Sequence, residues 1–376
     1  MHPENLLIIA DSDHDADMLY AVGMFVPDPF IYLRLGGKGH VVVSDLEIDR
    51  AKKQIPHYRV LPLSRYVKLL HSKNGKTPTL ALIAAYILRE RRLKKINVPP
   101  SFPIIHARQL HDCGIAVREI KGGCFPEREI KTAAEVKKLS AALMMAEVGM
   151  AEGIHALKAC KVGKGHQLFY RGLAFTSEKL RSIIDVAILQ AGGLASHTIV
   201  AGGNQGCDPH ECGYGPLRAH EPIILDIFPR SQKTGYFGDI TRTVVKGRAS
   251  EAVRRLYHTV AAGQDLGIAQ VRDGARGRDV HQAVLDLFVK HGYKTGKRRG
   301  HMEGFFHGTG HGLGLQIHEA PRISPASPDT LRAGHVVTIE PGLYYPGTGG
   351  VRLEDVVLVT AKSCRNLTKF EKVLEV

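Results

Sequence analysis

The sequence predicts an α+β protein built as a smaller α/β domain over residues 1–125 followed by a larger domain over residues 126–376. Three observations lead there. At 376 residues the chain exceeds one ordinary core, taking about 150 residues per domain as a guide. Short apolar runs alternate with turns and helical stretches at first, whereas longer helices and groups of short strands take turns later. Between the two regimes Pro99, Pro100 and Pro103 break the chain, and Gly122, Gly123 and Pro126 mark a boundary, because adjacent Gly and Pro suit turns and cannot continue a helix.

In the first domain Leu6–Ala10, Phe30–Leu33 and His40–Ser44 have the length and composition of strands, and Ser64–Leu70 and Leu80–Leu93 those of helices. In the second, Thr132 followed by Glu135 forms a capping-box pattern that offers partners to the free N–H groups of a helix start. Val136, Leu139, Leu143, Met144 and Val148 continue it at helical spacing to about Ala159. The same periodicity marks Ser177–Gln190, Ala252–Val271 and Val280–Lys290. Thr198–Ala201, Pro222–Phe228, Thr241–Val245, Val336–Ile339 and Val356–Thr360 are short, apolar and rich in β-branched residues, and so are expected as strands. The order helix, helix, strands occurs twice, which suggests two similar halves.

An apolar fraction of 44% and a charged fraction of 23%, with no apolar tract of about 18 residues, exclude a helical membrane span. The start of the chain has a short apolar patch, Leu6–Ala10, with no basic stretch ahead of it, so it does not resemble a secretory signal, and a cytoplasmic location is expected. Cys113, Cys124, Cys160, Cys207, Cys212 and Cys364 are scattered without a C-x-x-C pair, which argues for reduced thiols rather than disulfides or structural zinc. The 51 basic residues against 37 acidic ones give +14. They are dispersed apart from Arg89–Lys95 and Lys294–Arg299, and neither cluster is interleaved with stacking aromatics, so nucleic acid is not the expected partner.

Four carboxylates and a histidine stand out on strand-like segments. Asp226 follows Pro222-Ile-Ile-Leu, Asp239 opens Asp239-Ile-Thr-Arg-Thr, Glu340 ends Val336-Val-Thr-Ile, and Glu354 lies in Val351-Arg-Leu-Glu-Asp. His311 lies within His307-Gly-Thr-Gly-His-Gly-Leu-Gly. Singly, each has a structural explanation: Asp239 as a cap, Glu354 as a partner of Arg352, His311 as a loop histidine. Together they carry a charge of roughly minus four on buried-type segments, and two divalent cations are the simplest way to tolerate it. Oxygen ligands with one imidazole and no thiolate suit manganese, cobalt, iron or zinc rather than copper. Two such ions roughly 3.5–4 Å apart acidify a shared water, so hydrolysis is the expected reaction class.

The phrases Asp226-Ile-Phe-Pro, Gly238-Asp-Ile-Thr-Arg-Thr, His307-Gly-Thr-Gly-His-Gly-Leu-Gly with His318-Glu319, Ile339-Glu-Pro-Gly and Val351-Arg-Leu-Glu-Asp resemble, in order, the motifs of the pita-bread metallopeptidases. That family includes aminopeptidase P, prolidase, methionine aminopeptidase and the metal-free creatinase. The resemblance covers about residues 130–365. It implies a pita-bread catalytic domain behind a smaller α/β domain of the creatinase/prolidase type. It also implies that Asp226 chelates one metal, His311 and Glu340 bind the other, and Asp239 and Glu354 bridge both. Manganese or cobalt is the implied pair, with zinc or iron as alternatives. Glu340 is further implied as the proton acceptor of the bridging water, and His210 as a mobile histidine that binds substrate and shuttles protons. His307 and His318 resemble the two that surround the scissile carbonyl, and Arg352 the arginine that steadies a bridging carboxylate. His197, His220 and His301 match nothing.

One departure is the long interval between Asp226 and Asp239, through Arg230-Ser-Gln-Lys-Thr-Gly-Tyr, which the ligands tolerate if it stays in the turn. Within the family an amino-terminal domain accompanies the proline-selective members and creatinase. The expectation is therefore cleavage of peptides with proline at the second position, as an Xaa-Pro aminopeptidase or dipeptidase. Dipeptide restriction would need a cation for the proline carboxylate, for which the Lys294–Arg299 loop is a candidate, although a solvated loop is the simpler reading. A homodimer is implied by related enzymes, and the rival reading is a catalytically inactive peptide- or protein-binding module of the same fold.

Overall fold

A computed structural model describes residues 4–74, 76–298 and 300–376, so that Arg299 of the second basic cluster lies outside the described residues. The chain divides into two compact units, residues 1–128 and 129–376. No helix is long and apolar enough to cross a membrane among the described residues.

The first unit is a six-stranded mixed sheet in the spatial order Arg59–Pro62, Lys38–Val43, Phe30–Leu35, Leu6–Ala10, Lys95–Val98, Ala116–Glu119. The three central strands pair antiparallel and the outer ones parallel. Leu7 and Ile9 point into one core with Ile31, Leu33 and Ile87, while Leu6 and Ile8 point into the other with Tyr32, Val41 and Met18. Burial on both faces is why these strands read as unbroken apolar runs rather than alternating ones. The helices are α1 (Ala16–Val22), α2 (Ile48–Gln54), α3 (Leu63–Asn74), α4 (Leu80–Glu90) and α5 (Ile104–Asp112). The helical stretch expected to reach Leu93 stops at Glu90, because the chain turns back at Arg92, which takes a positive φ of 57°.

In the second unit α6 (Ala133–Lys158) starts on the predicted capping box, with Thr132 Oγ1 accepting from the Glu135 amide and the Glu135 carboxylate accepting from the Thr132 amide. It packs on α7 (Ser177–Gln190), and α8 (Glu251–Gln270) packs on α9 (Gly277–Lys290). Both pairs use the same device. Gly149 and Gly153 of α6 leave room for Ile184 and Ile188 of α7, and Gly263 and Gly267 of α8 leave room for Phe288 and Val284 of α9. Two helix pairs thus alternate with two sheets, as the order of elements suggested.

One sheet has Ile199–Gly202, Pro222–Ile227 and Ile240–Val245. The other has Glu319–Ile323, Gly310–Gly312, Val336–Ile339, Asp355–Val359 and Cys364–Asn366, and Gly342–Tyr345 pairs with Gly349–Arg352 as a separate hairpin. The first sheet is sewn to the following strands by side chains as well as backbone. The Glu354 amide donates to Thr241 O at 3.0 Å, and Thr243 Oγ1 both donates to Arg352 O and accepts from Arg352 N. Buried Arg242 adds bonds to the carbonyls of Glu354, Phe370 and Glu371 and an ion pair to Asp355 at 2.9 Å.

The long interval between Asp226 and Asp239 stays in the turn. Asp226 is in register with Thr241, and the excess residues fold into a tight loop in which Arg230–Ser231 pairs with Gly193–Leu194. The loop closes at Gly238, where a Cβ would stand 2.4 Å from Ala142 O and 2.6 Å from the Leu143 Cα of α6. Because those are backbone atoms of a long helix, they cannot yield as a side chain would. Gly238→Ala is therefore expected to lower the unfolding free energy of the chelator-treated protein by about 2–3 kcal/mol in urea titration. A variant as stable as the parent would show that the approach is looser than described.

Candidate metal centre

Strand register brings the five sequence-predicted ligands to one place. Asp226 sits near the end of Pro222–Ile227 and Asp239 immediately precedes the neighbouring strand, Ile240–Val245. Ile339 pairs with Asp355, so Glu340 and Glu354 emerge side by side from the next antiparallel pair. His311 lies in the strand Gly310–Gly312 rather than on a flexible turn, with a Cβ at Gly310 facing Thr338 O at only 1.9 Å. The glycines around His311 are what let this strand lie so close to its neighbours.

The ligand atoms of Asp239, His311 and Glu354 all lie within 4.8 Å of one another. His311 Nε2 is 3.3 Å from Glu340 Oε1 and 3.7 Å from Asp239 Oδ2. Its Nδ1 faces Gly312 O at 3.1 Å, so the ring proton belongs on Nδ1 and the lone pair of Nε2 faces the carboxylates. Asp239 and Glu354 are 3% and 2% exposed. Burial, and then the charges of their neighbours, hold both carboxyls well above the usual range, and burial raises Glu340 likewise. Burial also lowers His311 to about 3. A cation fits this set: four buried or half-buried carboxylates that repel one another, with one neutral imidazole, need more positive charge than the single guanidinium of Arg352 brings to them.

Arg352 is the positive charge nearest at hand, and it is bonded to one member of the set, Asp226. The resemblance implied that it steadies a bridging carboxylate. Instead its Nη2 donates to Asp226 Oδ2 at 2.6 Å, while Glu354 accepts from Thr241 Oγ1 at 2.8 Å. The physical reason is the hairpin Gly342–Tyr345/Gly349–Arg352, which directs the guanidinium toward the strand of Asp226. Arg352 Nη1 also donates to Tyr344 OH at 3.0 Å, and Tyr344 OH meets His307 Nε2 at 2.7 Å. His307 Nδ1 faces Gly308 O at 2.7 Å, which fixes its proton there, so Tyr344 is the donor to Nε2. Both nitrogens of His307 are thus occupied, and its ring is held as wall rather than presented as a donor.

The centre opens into a cavity of about 780 Å³ that is also lined by His210, Phe228, Phe306, His318 and Arg322. His210 and His318 are exposed at its edge, and the His318 ring lies edge-on to His311 with centroids 4.4 Å apart. Lys294–Arg298 of the basic loop forms an exposed hairpin with His301–Glu303 and lines a different cavity of about 660 Å³. None of these described residues lines the carboxylate-bearing cavity. Arg322, which sequence reasoning passed over, lines that cavity from the strand paired with His311. Its strand, Glu319–Ile323, mixes charged residues with Pro321 and offers no apolar run by which to recognise it. Thr241 and Arg242 stand in a quoted motif without a role assigned to them, and nothing in its spacing marks Tyr344.

The profile of metallopeptidase family M24 matches residues 131–361. An uncharacterized peptidase of Bacillus subtilis is 35% identical over 178 residues, 47% of this chain and 47% of its own length. A protein of Pyrococcus horikoshii described as an Xaa-Pro dipeptidase is 34% identical over 181 residues, 48% and 49% of the two chains. The matched region spans about half the length of these curated relatives. Among solved structures, an X-Pro aminopeptidase from Thermotoga maritima superposes with a TM-score of 0.83 at 20% identity, covering 99% of this chain and 97% of that one. An Xaa-Pro dipeptidase from Bacillus anthracis gives 0.82 at 23%, covering 99% and 94%. At such identities these structures establish the fold alone.

If repulsion among the buried carboxylates is relieved by cations, adding manganese or cobalt to chelator-treated protein raises its stability by about 2.7 kcal/mol at a hundred-fold excess over Kd, read as a higher melting temperature. Asp239→Asn and Glu354→Gln lose most of that response. A parent protein whose melting temperature ignores these ions would remove the case for a metal centre.

Proposed function

Since the chain belongs to metallopeptidase family M24 and has its pita-bread fold behind a smaller α/β unit, we propose that it is a dinuclear metal-dependent hydrolase of peptide bonds that precede proline. The observation that carries this reading is the convergence of Asp226, Asp239, His311, Glu340 and Glu354 on one cavity, with all of them intact. Asp226 would hold one ion and His311 with Glu340 the other, with Asp239 and Glu354 shared. Two divalent ions so held, manganese or cobalt first and zinc or iron otherwise, would polarise the carbonyl and make hydroxide available near neutral pH.

The remaining work falls to the protein's own groups. Glu340, which lines the cavity beside His311, is placed to take a proton from the attacking water and return it to the leaving amine. With His307 committed to Tyr344 and Gly308, donation to the carbonyl of the substrate falls to His210 and His318 at the cavity edge. Arg352 and Tyr344 keep Asp226 and His307 in place. Phe228 and Phe306 supply apolar wall that suits a proline ring.

Two guanidinium groups line the cavity, and Arg352 is committed to Asp226. Arg322 is therefore the group suited to bind a substrate carboxylate, which favours dipeptides over longer chains. The rival reading, an inactive module that binds peptides through the same fold, gains nothing from the geometry, because a binding surface has no need of four converging carboxylates.

Protein reconstituted with manganese or cobalt is expected to cleave Gly-Pro-type dipeptides faster than longer Xaa-Pro peptides and to leave Met-Ala peptides intact. Asp239→Ala or Glu354→Ala should reduce turnover to background, and full activity in either would defeat the two-metal mechanism. Arg322→Met should raise KM for dipeptides about ten-fold or more, the worth of a charge-assisted hydrogen bond, and barely affect longer peptides. Equal effects on both would return the enzyme to the aminopeptidase class.

A further inference from the structure

Immediately before the cap of α6 stands Lys131, an almost wholly buried lysine. Its Nζ lies 2.8 Å from Glu319 Oε2, with the side chains 3% and 6% exposed, and its amide donates to Gly334 O at 2.8 Å. A buried lysine with a single-geometry carboxylate partner fixes the relative position of two segments far apart in sequence, because separating them would strand both charges. What it fixes here is functional. Glu319 follows His318 directly, and its carboxylate is folded back beneath the turn that leads to that histidine. Glu319 Oε1 accepts from the Gln316 amide at 3.0 Å, and a Cβ on Gly314 would stand 2.4 Å from Oε2.

The same turn is held from its other side. The Phe237 amide donates to Gly314 O at 2.9 Å, and the neighbouring Tyr236 OH donates to Glu135 Oε1 at 2.8 Å. The start of α6 therefore reaches the turn before His318 through Lys131 and the loop before Asp239 through Glu135. No feature of these residues faces the cavity, so they do not act on a substrate themselves.

We propose that Lys131 is a positioning residue for His318: its ammonium clamps the Glu319 carboxylate, and that clamp sets where the His318 imidazole meets the substrate carbonyl. The role in turnover rests on the peptidase reading above, whereas the clamp itself does not.

The test compares the parent protein with Lys131→Met and Lys131→Arg by amide hydrogen exchange across residues 312–319, by manganese content, and by kcat and KM on Gly-Pro. In Lys131→Met, exchange in this segment should rise at least about ten-fold, and kcat should fall about ten- to a hundred-fold at unchanged KM and full metal content. Lys131→Arg, which keeps the charge, should recover most of both. Unchanged exchange in Lys131→Met overturns the clamp. Activity lost in proportion to metal, or an arginine variant as impaired as the methionine one, overturns the positioning role. Should Lys131→Met fail to fold, Lys131→Met with Glu319→Gln leaves no stranded charge and is read in the same way. A fully loaded parent that cleaves no peptide would sink the peptidase reading, while exchange at 312–319 would still decide the clamp.

Discussion

Repulsion among carboxylates that the fold forces into one dry place governs the second unit. Asp239 and Glu354 are almost completely buried, Glu340 and Asp226 stand beside them, and the nearest guanidinium is shared between Asp226 and Tyr344 OH. Without a counter-charge such a group would be among the most costly arrangements a small core could contain, since each ionised carboxylate loses its hydration. The surrounding structure is organised to bear that cost: Thr241 donates to Glu354, Arg242 ties the carbonyl behind it to the irregular segment at Phe370 and Glu371, and the amide of Glu340 is satisfied by Thr309 O.

This explains why the site is made from strand ends rather than loops. Antiparallel register places side chains to within a fraction of a residue, and here two such pairings, Asp226 with Thr241 and Ile339 with Asp355, set four ligand positions between them. The helix pairs α6/α7 and α8/α9 flank these sheets, and glycines spaced one turn apart let each pair approach closely enough to leave no slack behind the strands. Stability and site geometry are thus the same problem. A change in helix spacing would be felt at the carboxylates.

Much of this was legible from residues alone, and the reasons are specific. Long amphipathic helices with caps, such as the one that opens on Thr132, announce themselves by periodicity, and α7 matches its predicted limits. Val336–Ile339 and Leu6–Ala10 could be read because both faces of those strands are buried, so every position is apolar. The candidate ligands were visible because acidic residues interrupt or end such runs. What could not be read was pairing across the chain. Arg352 was expected beside a bridging carboxylate, yet the hairpin that carries it points it at Asp226, and hairpin direction has no signature in local spacing. For the same reason Tyr344, Arg242, Lys131 and Arg322 looked ordinary: each gains its meaning from a partner far away in sequence. Short helices such as α1, of 7 residues, and α5, of 9, and the outer strands of the first unit were missed because about two turns give periodicity little to work on and strands such as Arg59–Pro62 and Ala116–Glu119 carry charged, exposed residues in place of an apolar run.

The sequence of bonds from Arg352 through Tyr344 and His307 to Gly308 has a further consequence. Every hydrogen in it has one acceptor to go to, and both ends are anchored, one in a carboxylate and the other in backbone. These bonds hold the rings of Tyr344 and His307 in one orientation. An incoming molecule meets a surface whose rotational freedom was already lost when the chain folded, so that selection rests on complementarity with a preorganised shape rather than on adaptation of that wall.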